Sequence, residues 1–230
     1  MSELLSNSAF FPILLTLGVF LLGNALQKRF HSPLLNPILI AALLVILFLR
    51  LSGLSNAAYQ EGMRPLSFLM TPATICLAIS FHEQFPRVRR HLPAILAGAA
   101  AGTAASLASV FLLSRAFGLD ALLTLSLLPK SVTTAIGAVL SQEAGGIPAI
   151  TTVAIILTGI LGNVLGPWLC RLFRLRDPVA QGVALGTASH VIGTARAAEM
   201  NEVTKAVSSI SLVLSGLMTV LFFPWLLKLL

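Results

Sequence analysis

Acidic residues are scarce in this chain: eight Asp and Glu stand against fifteen Lys and Arg, and charged residues of both signs make up only 10% of the 230 positions. So little charge is far from what an ordinary soluble domain carries. Cysteine is limited to Cys76 and Cys170, both inside apolar runs and far from any metal-ligand spacing. Neither a disulfide framework nor a zinc site is supported. No cofactor or metal is expected.

Apolar residues are what the chain has instead, at 57%, with a mean hydropathy of +0.94. This composition reads as an all-α polytopic membrane protein. With about twenty apolar residues needed per crossing, the chain holds about six to eight membrane elements in a single integral membrane domain, 1–230. A separate soluble catalytic domain has no room, and no enzyme is expected. The N-terminus opens with Glu3 in place of a basic region, and the run Phe10 to Leu26 lacks a small-residue cleavage site. A permanent helix is the expectation there.

The net charge of +7 lies in short loops between apolar runs, where it serves orientation and not nucleic-acid binding. The clusters are Lys28, Arg29 and His31; Arg87, Arg89, Arg90 and His91; and Arg171, Arg174 and Arg176. If all three are cytoplasmic, four transmembrane helices (9–27, 34–53, 66–84 and 93–115) place the N-terminus outside. Pro72 should kink the third, and Asn36 either caps the second or contacts substrate.

That orientation leaves one crossing too many. The segment Ala121 to Gln142 starts outside, yet the next helix, 147–170, must end at the inside loop. Either 121–142 is a re-entrant hairpin turning near Pro129, Lys130 and Ser131, or it is a crossing helix broken at Pro129. At membrane depth such backbone is tolerated only within protein or beside a wet cavity.

An internal repeat points the same way. At an offset of 57 residues, AITTVAIILTGILGNVLGPWLCRL (149–172) aligns with AVSSISLVLSGLMTVLFFPWLLKL (206–229). A polar, small-residue-rich segment precedes each copy. The units, 121–172 and 181–230, each pair a discontinuous or re-entrant polar segment with a transmembrane helix. The basic loop between them makes the two copies inverted, an arrangement typical of secondary transporters.

The polar segments carry the candidate site. A lysine at depth, Lys130, costs about 2.5 to 3.5 kcal/mol on an insertion scale unless something meets it. It meets an anion in a cavity, pairs with Glu143 or Glu199, or snorkels to the surface. Ser131, Thr133 and Thr134 offer hydroxyl donors beside it, or bond back to their own helix. In the second segment Ser189, His190, Thr194, Arg196 and Glu199 form the densest polar group. Arg196 either clamps substrate or pairs with Glu199 at i, i+3. His190 either couples proton movement to transport or donates to a carbonyl. Ser189 and His190 are helix neighbours that cannot face each other, which rules out a hydrolase.

The motifs SPLLNPILI, LLPKSVTTAIG, GGIPAI and GTASHVIGTARAAE, in this order and spacing, resemble the bacterial LrgB/CidB (YohK-like) family over nearly the whole chain. Members are described as antiholin-like partners of a small holin-like membrane protein. A related plastidial glycolate/glycerate translocator fuses a holin-like part to this part. The resemblance implies a multi-pass protein of the bacterial inner membrane, a separately encoded holin-like (LrgA/CidA-type) partner, and a homo- or hetero-oligomer. Two functions follow as expectations. One is secondary transport of a small organic anion, a pyruvate- or glycolate-like monocarboxylate. The other is antiholin-like regulation of murein hydrolase export and lysis.

Overall fold

The computed structural model describes residues 10–30, 35 and 37–228. Asn36, with its capping or contact role, lies outside them. The described residues form ten α-helices, one short 3-10 turn and no strand, the all-α polytopic architecture read from composition. Among the described residues, four helical stretches are long and apolar enough to cross a membrane: Phe11–Phe30, Arg89–Ala116, Pro148–Leu172 and Glu202–Leu227.

The chain divides into two compact units, 1–73 and 74–230. In the first, α1 (Phe11–Phe30) packs on α2 (Pro37–Ser52) and α3 (Asn56–Phe68). Gly23 lies against Pro37, close enough that a Cβ would come within 3.0 Å of its Cα. Thr16 Oγ1 donates to the Pro12 carbonyl at 2.6 Å and lies 2.7 Å from the Tyr59 hydroxyl, which ties α3 to α1. The helix α3 has no counterpart in the sequence reading. It also corrects the expected kink: the helix expected over 66–84 is interrupted at Leu69, and α4 (Met70–Val88) begins afresh. Pro72 then sits in the first turn of α4, where a missing N–H loses no helical hydrogen bond.

The second unit is built around α5 (Leu92–Ala116), α8 (Pro148–Leu172) and α10 (Glu202–Leu227). Between them lie α6 (Ala121–Leu127), α7 (Thr134–Glu143) and α9 (Pro178–Met200). Side-chain caps set the starts. Asp120 accepts from the Leu123 amide at 2.7 Å, Asp177 from Val179 at 2.9 Å and Asn201 from Thr204 at 2.8 Å, each meeting an otherwise unpaired first-turn N–H. Ile95 packs with Ala206, Val207 and Ile210, while Leu107 and Val110 pack with Phe223. Those contacts advance together along both helices, so α5 and α10 run parallel.

Both polar segments fold back on themselves. In α9 the backbone leaves helical geometry at Ser189 (φ −131°, ψ 15°) and His190 (φ 43°, ψ −136°). Gly193 consequently meets Leu185, eight residues earlier, so closely that a Cβ would lie 2.6 Å from its carbonyl oxygen. A straight helix would hold residues eight apart about 12 Å from one another along its axis. The same device recurs in the first segment, where a Cβ on Gly137 would lie 3.1 Å from the Pro129 carbonyl oxygen. Of the two arrangements the sequence allows, the fold takes the hairpin in both cases.

The first leg of each hairpin is bonded to the start of the helix that follows it. Thr204 Oγ1, in the first turn of α10, donates to the Pro178 carbonyl at 3.2 Å. At the start of α8, the Ile147 amide donates to Ser126 Oγ at 2.7 Å and Thr151 Oγ1 to the Ser126 carbonyl at 2.8 Å. The first leg of α9 runs antiparallel to α8, with Leu185 against Gly166 and Ser189 against Gly162, and parallel to the start of α10, with Gly182 against Val207. Thus α8 and α10 point in opposite directions, and the hairpins enter from opposite ends.

Candidate functional site: a cavity between two hairpin tips

The tips exchange partners. Leu128 to Val132 of the first hairpin lie beside Thr103, Ser215 and Thr219 of α5 and α10. His190 of the second hairpin reaches α8, its Nε2 2.8 Å from the Ile155 carbonyl oxygen. At the repeat offset, Val132 and Thr133 correspond to Ser189 and His190. The alignment drawn from the apolar helices therefore superposes the two breaks as well. Each tip comes to the middle of a long helix, about half the depth of a crossing.

Between the tips lies a cavity of about 630 Å³ lined by residues of α5, α8, α9 and the first hairpin. Its walls reach from Ser131 and Ser189 to Gly98, Leu169 and Val183, at the end where α5 and α9 start and α8 finishes. Arg89, Arg90, Arg171, Arg174 and Arg176 belong to the same end of the unit.

Lys130 is half-buried in the cavity wall, and its Nζ donates to Ser131 Oγ at 3.2 Å. Ser131 Oγ is 2.8 Å from Ser106 Oγ on α5, so a hydroxyl pair holds the lysine end of the site to the scaffold. No carboxylate forms an ion pair with Lys130 among the described residues. Neither acid considered as its partner fills that place. Glu199 pairs with Arg196, and Glu143 is exposed at the end of α7.

Three of the residues singled out in the sequence share the cavity wall: Lys130, Ser131 and Ser189. The others lie elsewhere. Thr133 caps α7, accepting from the Ile136 amide at 3.4 Å, and Thr134 is that helix's first residue. Thr194 Oγ1 donates to the His190 carbonyl at 3.0 Å and lies 2.9 Å from Ser208 Oγ, bracing the second hairpin on α10. His190, 4% exposed, is turned toward α8. Arg196 faces Glu199 on its own helix. Sequence reasoning missed Ser106, Ser109, Thr158 and Thr187, which also line the cavity. Ser106, Ser109 and Thr158 stand among apolar residues of α5 and α8, and Thr187 stands two residues before Ser189 in α9; in the fold they share the cavity with Lys130 and Ser131.

Residues 16–229 match the LrgB-like family. The chain belongs to that family. Relatives include the antiholin-like protein LrgB of Bacillus cereus (strain B4264) and that of Bacillus anthracis (strain A0248). Each is 36% identical over 218 residues, covering 94% of this chain and 94% of the relative. No solved structure matches the chain. Membership covers both polar hairpins and the cavity between them, because the matched region runs from α1 to the end of α10.

Proposed function

We propose that this protein is an antiholin-like component of the bacterial inner membrane that regulates a small holin-like membrane partner. The observation that carries this reading is end-to-end similarity to proteins named antiholin-like. With so little chain outside the apolar helices, a partner is met on their lipid-facing sides, where small residues allow close helix approach. Ala101, Ala104 and Ala108 of α5 are exposed in this way. The test is co-expression with a small holin-like membrane protein, followed by copurification and a lysis assay. A stable complex and altered lysis timing support regulation. Free passage of the two proteins, with unchanged lysis, rejects it.

A specific observation favours a second reading, a secondary transporter of small monocarboxylates resembling pyruvate or glycolate. Among the described residues, Lys130 supplies a cation without a carboxylate partner at the meeting point of two inverted hairpins. Inverted units with broken helices at mid-depth suit alternating access. The arginines at the cavity's open end favour anion entry, and by the positive-inside rule that end is cytoplasmic. Uptake of labelled pyruvate and glycolate into proteoliposomes, with and without a proton gradient, tests this reading. Saturable uptake lost in Lys130→Ala supports it. Uptake absent in wild type, with the holin-like partner also present, removes it.

A further inference from the structure

Many hydroxyls in the helices of the second unit are paired. Those of Thr124, Thr152, Thr194 and Thr219 return to the carbonyl four residues earlier, and Ser106 pairs with Ser131. Among the described residues three hydroxyl oxygens are wholly buried without a partner, those of Ser141, Thr187 and Ser211. Of these, Thr187 is the one that lines the cavity. With the residue only 4% exposed, its hydroxyl is withdrawn from bulk water as well. A buried donor in that condition is destabilising, and it calls for an explanation.

Position ties Thr187 to Lys130. At the repeat offset of 57 residues the two are equivalent, one in each hairpin, and both line the same cavity. They also approach the same face of α5. A Cβ on Gly102 would lie 2.7 Å from Thr187 Cγ2, and one helical turn further on, Ser106 Oγ is 2.8 Å from Ser131 Oγ, to which Lys130 Nζ donates. Four residues of helix rise about 6 Å, a span that a carboxylate bridges with one hydrogen bond to each oxygen. The group that Thr187 turns toward Gly102 is its γ-methyl. Threonine populates two χ1 wells in a helix, and rotation from one to the other puts the hydroxyl where the methyl stands.

We infer that Thr187 is a ligand-binding residue of this cavity, its hydroxyl donating to the second oxygen of a carboxylate whose first oxygen Lys130 holds. Each inverted hairpin then contributes one group from the same repeat position, the first a charge and the second a neutral donor. The inference rests on the anion-carrier reading. A hydrogen bond to a charged acceptor is stronger than one between neutral groups. Because the hydroxyl has no protein partner to give up, that bond strengthens binding and not the fold.

The test uses the full chain in lipid nanodiscs, with pyruvate and glycolate as probes. Affinities are measured by calorimetry, and stability by thermal unfolding without ligand, for wild type, Thr187→Val, Thr187→Ser and Lys130→Met. Thr187→Val keeps the shape of the side chain and its methyl contact with Gly102. It should unfold at the same temperature as wild type or higher, yet bind both acids about tenfold more weakly or worse, by the same factor. Thr187→Ser retains the hydroxyl and should bind within about threefold of wild type. Lys130→Met should bind neither acid. Thr187→Val that binds like wild type, that weakens one acid alone, or that loses affinity and unfolding temperature together overturns the inference, as does Thr187→Ser that binds no better than Thr187→Val. The anion reading stands in each of those cases. Wild type that binds neither acid, or Lys130→Met that binds like wild type, overturns both.

Discussion

Thr204 Oγ1 donates to the carbonyl of Pro178 at 3.2 Å, although 26 residues separate them and all of α9 lies between. The contact requires α9 to return to the level at which it began. Its turn at Ser189 and His190 makes that possible.

Residues at the two ends of α9 should therefore be reached from the same side of the membrane. In a chain lacking Cys76 and Cys170, Asp177→Cys and Asn201→Cys should react with a membrane-impermeant maleimide from one side only, and from the same side. Asp120→Cys and Gly145→Cys, at the two ends of the first hairpin, should react from the opposite side. Labelling of Asp177→Cys and Asn201→Cys from opposite sides would show that α9 crosses.

Removing the Lys130 charge should not weaken the fold. A lysine in a structural ion pair leaves an uncompensated buried carboxylate when deleted, at a cost of about 3 to 5 kcal/mol. Lys130 has no such partner among the described residues. Lys130→Met keeps the stem's length and apolar packing, so its thermal unfolding temperature in detergent should equal or exceed that of wild type. A drop of several degrees would indicate a structural cation.

Much of this arrangement is legible in the sequence. Pro129-Lys130 within an apolar run, the alignment of 149–172 with 206–229, and the basic loop between the copies together lead to inverted units with polar breaks. What the sequence cannot display is which way the polar side chains turn. Thr152 and Ser209 look like Thr158 in a string of letters, yet their hydroxyls return to the carbonyls of Pro148 and Lys205. Thr158 and Thr187 face a cavity that exists only once α5, α8 and α9 have met. Arg196 and Glu199 were readable as an ion pair from their i, i+3 spacing alone, and they form one. The helix α3 escapes sequence analysis for a different reason. Its residues, NAAYQEGMRPLSF, are too polar for a membrane pattern and carry Pro65 inside, so packing of Gly62 and Tyr59 on α1 supplies what propensity does not.

Glycine substitutions should separate the tip contact from ordinary helix surface. A methyl group at Gly162 meets Ser189, whereas nothing lies within 4 Å of a Cβ built at Gly18. Gly162→Ala should destabilise by about 1 to 3 kcal/mol through overpacking and lower the unfolding temperature. Gly18→Ala should be neutral or stabilising by up to about 1 kcal/mol, since alanine suits a helix better. Equal effects at both sites would mean that the second tip is not seated on α8.

Ser126 joins the first hairpin to the helix that follows it. It is fully buried; its Oγ donates to the Leu122 carbonyl at 2.7 Å and accepts from the Ile147 amide at 2.7 Å, while its own carbonyl accepts from Thr151 Oγ1 at 2.8 Å. In Ser126→Ala the carbonyl contact survives, because it belongs to the backbone. The Ile147 amide, however, loses its acceptor at the entry to α8. Leaving such a donor unpaired should cost about 1 to 3 kcal/mol, and hydrogen exchange should locate the loss at the Gly146–Ile147 connection, with the second hairpin unaffected. Ser126→Thr retains the hydroxyl and should recover part of the stability. Protection at that connection unchanged by Ser126→Ala would mean that another group holds the first hairpin to α8.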